Sequence, residues 1–359
     1  MKQLLFLCAF FLCQMSFAEK PKLSFFNEQE GKELQKLFSD TSLISNLKKL
    51  HAEIRMGMLD LSEERIEVLK KLNQAGVPVV AWLLLPKEKG YWFHSGNSKE
   101  AFDRYYEIKK WAEDHEIKFS GIGIDLELDM NEIELFKTNK LKLFGRVVGR
   151  LYDKEEFLEA KKEYEKLIDV IRKDGFSIES YYIPFIRYET EKGQTALQQA
   201  SRFMDLQTDK DIPMLYTSFM GNPYGVLKEL AISENLQYVA IGSTGGGFDP
   251  SMPSMTWGDL AYDLRLVSKT AKEIHIFCLE ASVQKGFIPK LIDFNYDVPV
   301  EPHPEQIKKV ESLKNSVMRI STILSYPTIT IFGVVLVFGL IVWLIYFLVK
   351  QALRKLRQR

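Results

Sequence analysis

The sequence predicts an α/β fold, a (β/α)8 TIM barrel, followed by a single C-terminal transmembrane helix. From Lys22 to Phe294, short apolar segments of strand character alternate with longer segments of helical period, without consecutive hairpins. Eight such strands over roughly 270 residues match this barrel, for which about 250 residues is typical. A long uncharged segment near the C-terminus predicts the membrane helix.

The eight strand candidates are distributed over the whole barrel region. They are Lys22–Phe26, Glu53–Leu59, Val79–Leu85, Gly121–Leu128, Ser177–Ile183, Pro213–Ser218, Tyr238–Ser243 and Glu273–Glu280. Pro184 follows the fifth candidate directly and has no N–H to donate. We therefore expect this strand to end before Pro184 or to carry a bulge there.

The segment between the second and third strands shows one complete β-α-β unit. Ser62 is a suitable N-cap for a helix that runs through Ala75, and Gly76 can end this helix in the left-handed conformation. The main alternative fold is a doubly wound open sheet. Such a sheet normally has a glycine-rich turn after its first strand, and residues 26–29, FNEQ, contain no glycine.

The C-terminal segment predicts a membrane anchor. No charged residue occurs between Ile320 and Val349, and residues 328–349 are long and apolar enough to cross a hydrocarbon core of ~30 Å. The tail, residues 350–359, has basic residues and no acidic one, which predicts a cytoplasmic C-terminus. Residues 298–327, which begin with closely spaced prolines, form either a stalk or a helix packed on the barrel.

The N-terminal segment, residues 1–18, predicts a cleavable signal peptide. Lys2 precedes an apolar run, Leu4–Cys13, that is too short to span a bilayer, and Ala18 lies at a suitable cleavage site. The barrel domain, residues 19–297, would then lie outside the cytoplasm of a single-pass membrane protein. The chain contains no Asn-X-Ser/Thr site, which favours a bacterial periplasm or cell surface.

The composition narrows the classes of partner. The 48 basic and 48 acidic residues balance, but without Lys2 and the basic tail the exported part has an acidic excess, which argues against nucleic acid. Only Cys278 lies beyond the predicted signal peptide, so stability must come from a large core rather than from an internal disulfide. No two histidines have metal-ligand spacing, and we expect neither a metal nor a cofactor.

The fourth strand has the clearest functional signal. Residues 121–128, GIGIDLEL, alternate with period two, which directs Asp125 and Glu127 into the barrel near the carboxyl end of the strand. Functional groups of such barrels lie at this end. Two carboxylates this close repel each other, so the pKa of at least one of them is expected to rise. We therefore expect Glu127 to be a general acid and Asp125 to orient it.

Residues 120–127, SGIGIDLE, resemble the Asp-Gly-X-Asp-X-Asp-X-Glu strand of family 18 glycoside hydrolases, the chitinases and their relatives. Asp125 and Glu127 match the last two acids, whereas Ser120 and Gly123 replace the first two. Met214-Leu215-Tyr216 resembles the family's Met-X-Tyr motif. The resemblance implies that Glu127 protonates a glycosidic oxygen, that Tyr216 binds the substrate's acetamido group, and that this group replaces an enzyme nucleophile.

Other residues extend the predicted site. Glu280, at the end of the eighth strand, is a second candidate carboxylate that could act with Glu127 in a two-carboxylate mechanism, with an arginine-paired structural glutamate as the alternative. The candidate sugar-binding residues are the aromatics Trp82, Tyr91, Trp92 and Trp257 together with Arg187, and core packing is the alternative for each aromatic. Tyr91 and Trp92 are expected in an exposed loop. Asp60 and Glu189 are weaker candidates near strand ends.

A glycine-rich segment after the seventh strand supports a different function. Residues 242–247, GSTGGG, are rich in backbone donors, and barrels often bind phosphate at this position. Two main hypotheses remain. The first is an exported glycoside hydrolase-like enzyme, and the second is a catalytically inactive barrel that binds a glycan or a protein at the cell envelope.

Overall fold

The structure, a computed structural model, describes residues 20–216, 229–246 and 253–357. It confirms the TIM barrel, because eight parallel strands close in sequence order and β1 pairs with β8 as well as with β2. The strands are β1 (Lys22–Asn27), β2 (Glu53–Met58), β3 (Val79–Leu83), β4 (Gly121–Leu126), β5 (Ile178–Tyr182), β6 (Lys210–Tyr216), β7 (Tyr238–Gly242) and β8 (Glu273–Phe277).

Helices occupy most of the connections. They are α1 (Gly31–Leu37), α2 (Thr41–Lys49), α3 (Glu63–Ala75), α4 (Ser98–Asp114), α5 (Met130–Thr138), α6 (Lys140–Arg150), α7 (Lys154–Lys173), α8 (Ile186–Glu191), α9 (Ala196–Ser201), α10 (Glu229–Ser233), α11 (Trp257–Val267), α12 (Leu279–Gln284), α13 (Ile288–Ile292), α14 (Pro304–Leu324) and α15 (Pro327–Arg357). The predicted helix before β3 is confirmed: Ser62 Oγ accepts the Arg65 N–H at 3.3 Å, and Gly76 has φ +72.

Every predicted strand is present, and the differences lie at the ends. The fifth strand stops at Tyr182, two residues before Pro184. The fourth and eighth strands are shorter than predicted, because the segments after Leu126 and Phe277 turn at once into the N-caps of α5 and α12. The predicted signal peptide and the last two predicted residues of β6 lie outside the described residues.

The chain forms two compact units. One contains the residues up to Met56, Glu67–Val79 and Leu215–Ile307, and the other contains Gly57–Ile66, Val80–Met214 and the residues from Lys308 onward. In the first unit the inward residues are partly charged. Arg55 is fully buried and donates to the Glu53 carboxylate at 3.0 Å. The same carboxylate forms an ion pair with Lys22. Ser24 Oγ lies 2.6 Å from Nδ1 of the buried His275.

In the second unit, strand register places large side chains beside small ones. Trp82 of β3 is opposite Gly123 of β4, and Asp125 of β4 is opposite Tyr181 of β5. Paired residues of parallel strands point to the same face of the sheet, so these four side-chain positions share the inner face. This register is what positions the candidate site.

The segment before the apolar helix folds as α14 and packs within the second unit. Ser321 is fully buried, and its hydroxyl donates to Glu189 and to Gln194 Oε1, the latter at 3.0 Å. The Lys314 ammonium lies 3.7 Å from the centre of the Tyr188 ring. Of the two possibilities for residues 298–327, these contacts support a packed helix over a free stalk for residues 304–324.

The predicted apolar C-terminal helix is α15. Its segment Pro327–Gln351 is 25 residues long and has the composition of a membrane span. At 1.5 Å per residue this segment measures about 37 Å, which exceeds the ~30 Å of a bilayer core. The helix is therefore long and apolar enough to cross a membrane.

Candidate active site

Asp125 and Glu127 flank the carboxyl end of β4. Asp125 is the second-last residue of the strand and is 3% exposed. Glu127 is the first residue beyond the strand and is half-buried. The predicted alternation therefore holds through Asp125, and Glu127 lies in the short link between β4 and the Asp129 N-cap of α5.

The backbone around this pair is fixed by Phe93, in the loop after β3. The Phe93 N–H donates to the Asp125 carbonyl at 2.9 Å, and the Glu127 N–H donates to the Phe93 carbonyl at 3.2 Å. These two bonds continue the β3–β4 pairing for one bridge beyond β3, between Phe93 and Leu126. Glu127 thus has a fixed backbone although it lies outside the strand.

The carboxyl groups of Asp125 and Glu127 are hydrogen-bonded to each other. Burial raises the pKa of Glu127 to about 7. The hydrogen bond lowers this pKa and so opposes the shift, because the ionised Glu127 carboxylate accepts it from Asp125. A raised pKa was predicted, but its predicted cause, repulsion between two carboxylates, is wrong: loss of solvent around Glu127 is the main cause.

The replacement at Gly123 has a steric explanation. A Cβ at Gly123 would lie 2.3 Å from the Tyr181 hydroxyl oxygen, so a side chain there would require the Tyr181 ring to move. Tyr181 donates to Glu179 at 2.5 Å, and its ring meets Trp82 edge-on at 6.1 Å. Trp82 is only 2% exposed, which favours packing over an open sugar-binding surface at this position.

The expectation that Tyr91 and Trp92 lie in an exposed loop is wrong. They are 6% and 4% exposed and meet edge-on at 5.0 Å. The loop folds back on itself, because the Leu85 N–H donates to the Tyr91 carbonyl at 2.8 Å. This closure buries both rings, and neither presents an open face to a ligand.

A buried polar cluster beside Phe93 was not predicted. His94 Nδ1 accepts the Gly96 N–H at 3.0 Å, which assigns the proton of the neutral ring to Nε2. Nε2 lies 3.8 Å from Asp129 Oδ2, and Arg202 Nη1 lies 3.6 Å from the same oxygen. Burial lowers the pKa of His94 to about 4 against the opposing effect of Asp129. These residues are far apart in the sequence, and a lone histidine gives no pattern that would predict them.

Glu280 lies in the first turn of α12 rather than at the end of a strand. It accepts a hydrogen bond from Asn27 Nδ2 at 2.9 Å, and burial raises its pKa. Its partners also include the Cys278 side chain and nearby backbone, and none of these partners is the arginine that the structural alternative predicted. Tyr216 ends the described part of β6, is buried, and packs on the Phe277 ring at 5.5 Å.

Glu280 and Tyr216 belong to the first unit, whereas Asp125 and Glu127 belong to the second. The expectation that they act together stays a prediction.

Two backbone donors of the glycine-rich segment form hydrogen bonds within the fold. The Thr244 N–H donates to the Phe277 carbonyl at 2.7 Å, and the Gly245 N–H donates to Ser243 Oγ at 3.1 Å. Thr244 Oγ1 in turn accepts the Cys278 N–H at 2.9 Å. The described residues 242–246 therefore form a structural turn, and the phosphate-binding interpretation receives no support from them.

Arg187 and Asp60 have structural partners. Arg187 lies 3.0 Å from Asp211 Oδ2 and stacks over the Tyr182 ring at 4.7 Å. Asp60 forms an ion pair with the fully buried Arg65. These contacts engage both side chains within the fold.

Glu189 and Trp257 also have structural partners. Glu189 accepts the N–H groups of Leu197 and Gln198 at 2.6 and 2.9 Å, at the start of α9. Trp257 packs on the rings of Phe287 and Phe294 at 5.6 and 5.8 Å. Among the described residues, no group of three or more acids, histidines or cysteines is arranged to hold a metal ion.

Solved barrels with this fold have varied chemistry. A GH18 chitinase from Pseudoalteromonas aurantia is 12% identical, covers 76% of this chain and 100% of its own, and has a TM-score of 0.45. The 3-keto-D-glucoside 4-epimerase YcjR from E. coli is 14% identical, covers 76% of this chain and 99% of its own, and has a TM-score of 0.40. A family 2 AP endonuclease from Brucella melitensis is 12% identical, covers 75% of this chain and 98% of its own, and has a TM-score of 0.39.

No family model matches the chain, and no curated protein matches it significantly. These similarities assign neither a family nor a function to this chain. Its barrel fold is established by the closure of its own eight strands.

Proposed function

We propose that this chain is an exported, membrane-anchored glycoside hydrolase-like protein with Glu127 as its general acid. Its substrate would be an envelope or extracellular glycan with N-acetylated sugars. The observation that carries this proposal is the Asp125–Glu127 pair: two hydrogen-bonded carboxyl groups at the carboxyl end of a barrel strand, one with a pKa near 7. A general acid is most effective when its pKa is close to the working pH.

In this mechanism Glu127 donates its proton to the glycosidic oxygen as the bond from that oxygen to the sugar carbon breaks. The electron pair of the broken bond stays on the leaving oxygen. The substrate's acetamido oxygen attacks the same carbon, and Asp125 stabilises the charge on the acetamido nitrogen. Water then opens the intermediate and returns a proton to Glu127, so the chain needs no nucleophile of its own.

The location of the protein is part of the proposal. The apolar length of α15 and the basic residues that follow it support a single span with a cytoplasmic C-terminus. The signal-peptide pattern of residues 1–18 supports export of the barrel. The partners are then a carbohydrate ligand and the membrane, and nucleic acid is not expected.

The alternative function is a catalytically inactive barrel that binds a glycan or a protein. One observation favours it: Trp82 and Tyr181 fill the inner face next to Asp125, which is only 3% exposed. A sugar ring that reached Asp125 would have to displace one of these rings.

Substitution of Glu127 tests the proposal. We expect Glu127→Gln in the full chain to lower turnover of an activated N-acetylglucosaminide by ~100-fold to 10,000-fold, because an amide is not acidic enough to transfer a proton to the leaving oxygen. Asp125→Asn should also lower the rate. The control is Glu134→Gln, which removes an exposed carboxylate from α5 and should leave turnover unchanged. Binding of the N-acetylated oligosaccharide by wild-type protein without cleavage would favour the inactive barrel.

A further inference from the structure

Helix α6 (Lys140–Arg150) exposes large apolar side chains. It has no buried residue, and Leu141 and Phe144 are 81% and 64% exposed. Phe136 of α5 and Tyr152, two residues beyond α6, are 56% and 54% exposed. Clustered exposed apolar side chains of this size mark an interaction surface.

The same helix is basic and has no acidic residue. Its cations are Lys140, Lys142, Arg146 and Arg150. Arg150 is neutralised by Glu132, with nitrogen–oxygen distances of 2.7 and 3.1 Å. The other three remain exposed. Exposed leucine and phenylalanine beside lysine and arginine are typical of helices that lie in the surface of an anionic bilayer.

The position of this surface identifies its partner. The Tyr152 hydroxyl lies 3.4 Å from Thr328 Oγ1, the second residue of the apolar helix α15. The end of α6 therefore lies where the membrane span would begin. Ile320 and Ile323, at the end of α14, are also about half exposed. All these residues belong to the second unit.

We propose that α6 lies on the bilayer surface at the barrel side of the membrane. Leu141 and Phe144 enter the boundary between headgroups and acyl chains, and Lys140, Lys142 and Arg146 bind anionic lipid headgroups. This inference rests on the membrane span that is part of the proposed function. Lipid is the occupant of this surface because the contact with Thr328 holds α6 next to the membrane entry point.

Fluorescence quenching in vesicles tests the inference. In the full chain, Cys8→Ala and Cys13→Ala remove two native cysteines, and Phe144→Cys is labelled with nitrobenzoxadiazole. The remaining cysteine, Cys278, is buried and should resist labelling. In phosphatidylcholine–phosphatidylglycerol vesicles, lipids spin-labelled near the headgroup should remove most of the fluorescence at position 144. A label at Tyr106→Cys, an exposed position on α4, should lose little.

A label in α15 tests the membrane span separately from the docking of α6. Val337→Cys, near the middle of the apolar segment Pro327–Gln351, should be quenched by lipids spin-labelled deep in the acyl chain. Quenching at 337 without quenching at 144 overturns the docking of α6 and leaves the anchor intact. Quenching at neither position overturns both. Protection of position 144 from aqueous iodide without lipid quenching would mean a protein occupant and would also overturn the inference.

Charge reversal tests the lipid contacts. Lys142→Glu with Arg146→Glu should abolish the quenching at position 144 in vesicles that contain phosphatidylglycerol. The matched control is Lys162→Glu with Lys166→Glu, which has the same spacing on the exposed face of α7 and should leave quenching unchanged. Equal quenching in both reversed variants would contradict electrostatic binding to headgroups.

Discussion

Glu127 shows how a carboxyl group acquires a pKa near neutrality one residue beyond a strand. Its backbone is held by the bond to the Phe93 carbonyl, and its side chain is hydrogen-bonded to Asp125. Loss of water around the carboxylate outweighs this bond and raises the pKa to about 7. The residue type and the strand period are visible in the sequence, but the extent of burial depends on segments far along the chain.

The protonation of His94 provides a test of the buried polar cluster. Its pKa is about 4 in the folded chain and about 6.5 in an unfolded one, so only the unfolded state gains a proton between these values. The free energy of unfolding should therefore fall as the pH drops from about 6.5 to 4, by on the order of 3 kcal/mol from this residue.

Denaturant unfolding measured across that pH range checks this. His94→Gln should lack this part of the pH dependence, whereas His51→Gln, at an exposed position, should keep it. An unchanged pH dependence in His94→Gln would mean that the ring is not held neutral.

At the scale of elements, β4 was predicted well and the loop after β3 was not. The alternation of glycine and isoleucine with Asp125 is enough to assign the inner face of β4. The burial of Tyr91 and Trp92 depends on a backbone bond from Leu85, which residue types alone do not reveal. His94 and Asp129 were missed for the same reason, because only the fold brings them together.

The packing of helix α14 gives a prediction about stability. Ser321→Ala in the full chain should lower the free energy of unfolding by about 1–3 kcal/mol, because the buried Glu189 carboxylate loses a hydrogen-bond donor. Ser316→Ala removes an exposed serine from the same helix and should cost little. Denaturant unfolding of both variants in detergent checks this. Equal stability of the two variants would indicate a detached stalk.

At the scale of the whole molecule, the barrel and the apolar helix follow from patterns that repeat along the chain. Eight strand candidates and a long uncharged segment suffice to predict both. The contact between Tyr152 and Thr328 joins the chain after α6 to the start of the apolar helix α15, and no sequence pattern reveals it. Of the candidate site, the sequence predicted the position of Asp125 on the inner face of β4, and Glu127, predicted within this strand, lies just beyond it. Their catalytic roles stay a prediction.

The ionisation of Glu127 tests the central claim most directly, since it requires no knowledge of the substrate. In the full chain labelled with carbon-13 at glutamate carboxyl groups, the Glu127 signal is the one missing from the spectrum of Glu127→Gln. We predict that this signal titrates with a midpoint near pH 7. A midpoint near the ordinary glutamate value of about 4.3 would contradict a general acid at this position.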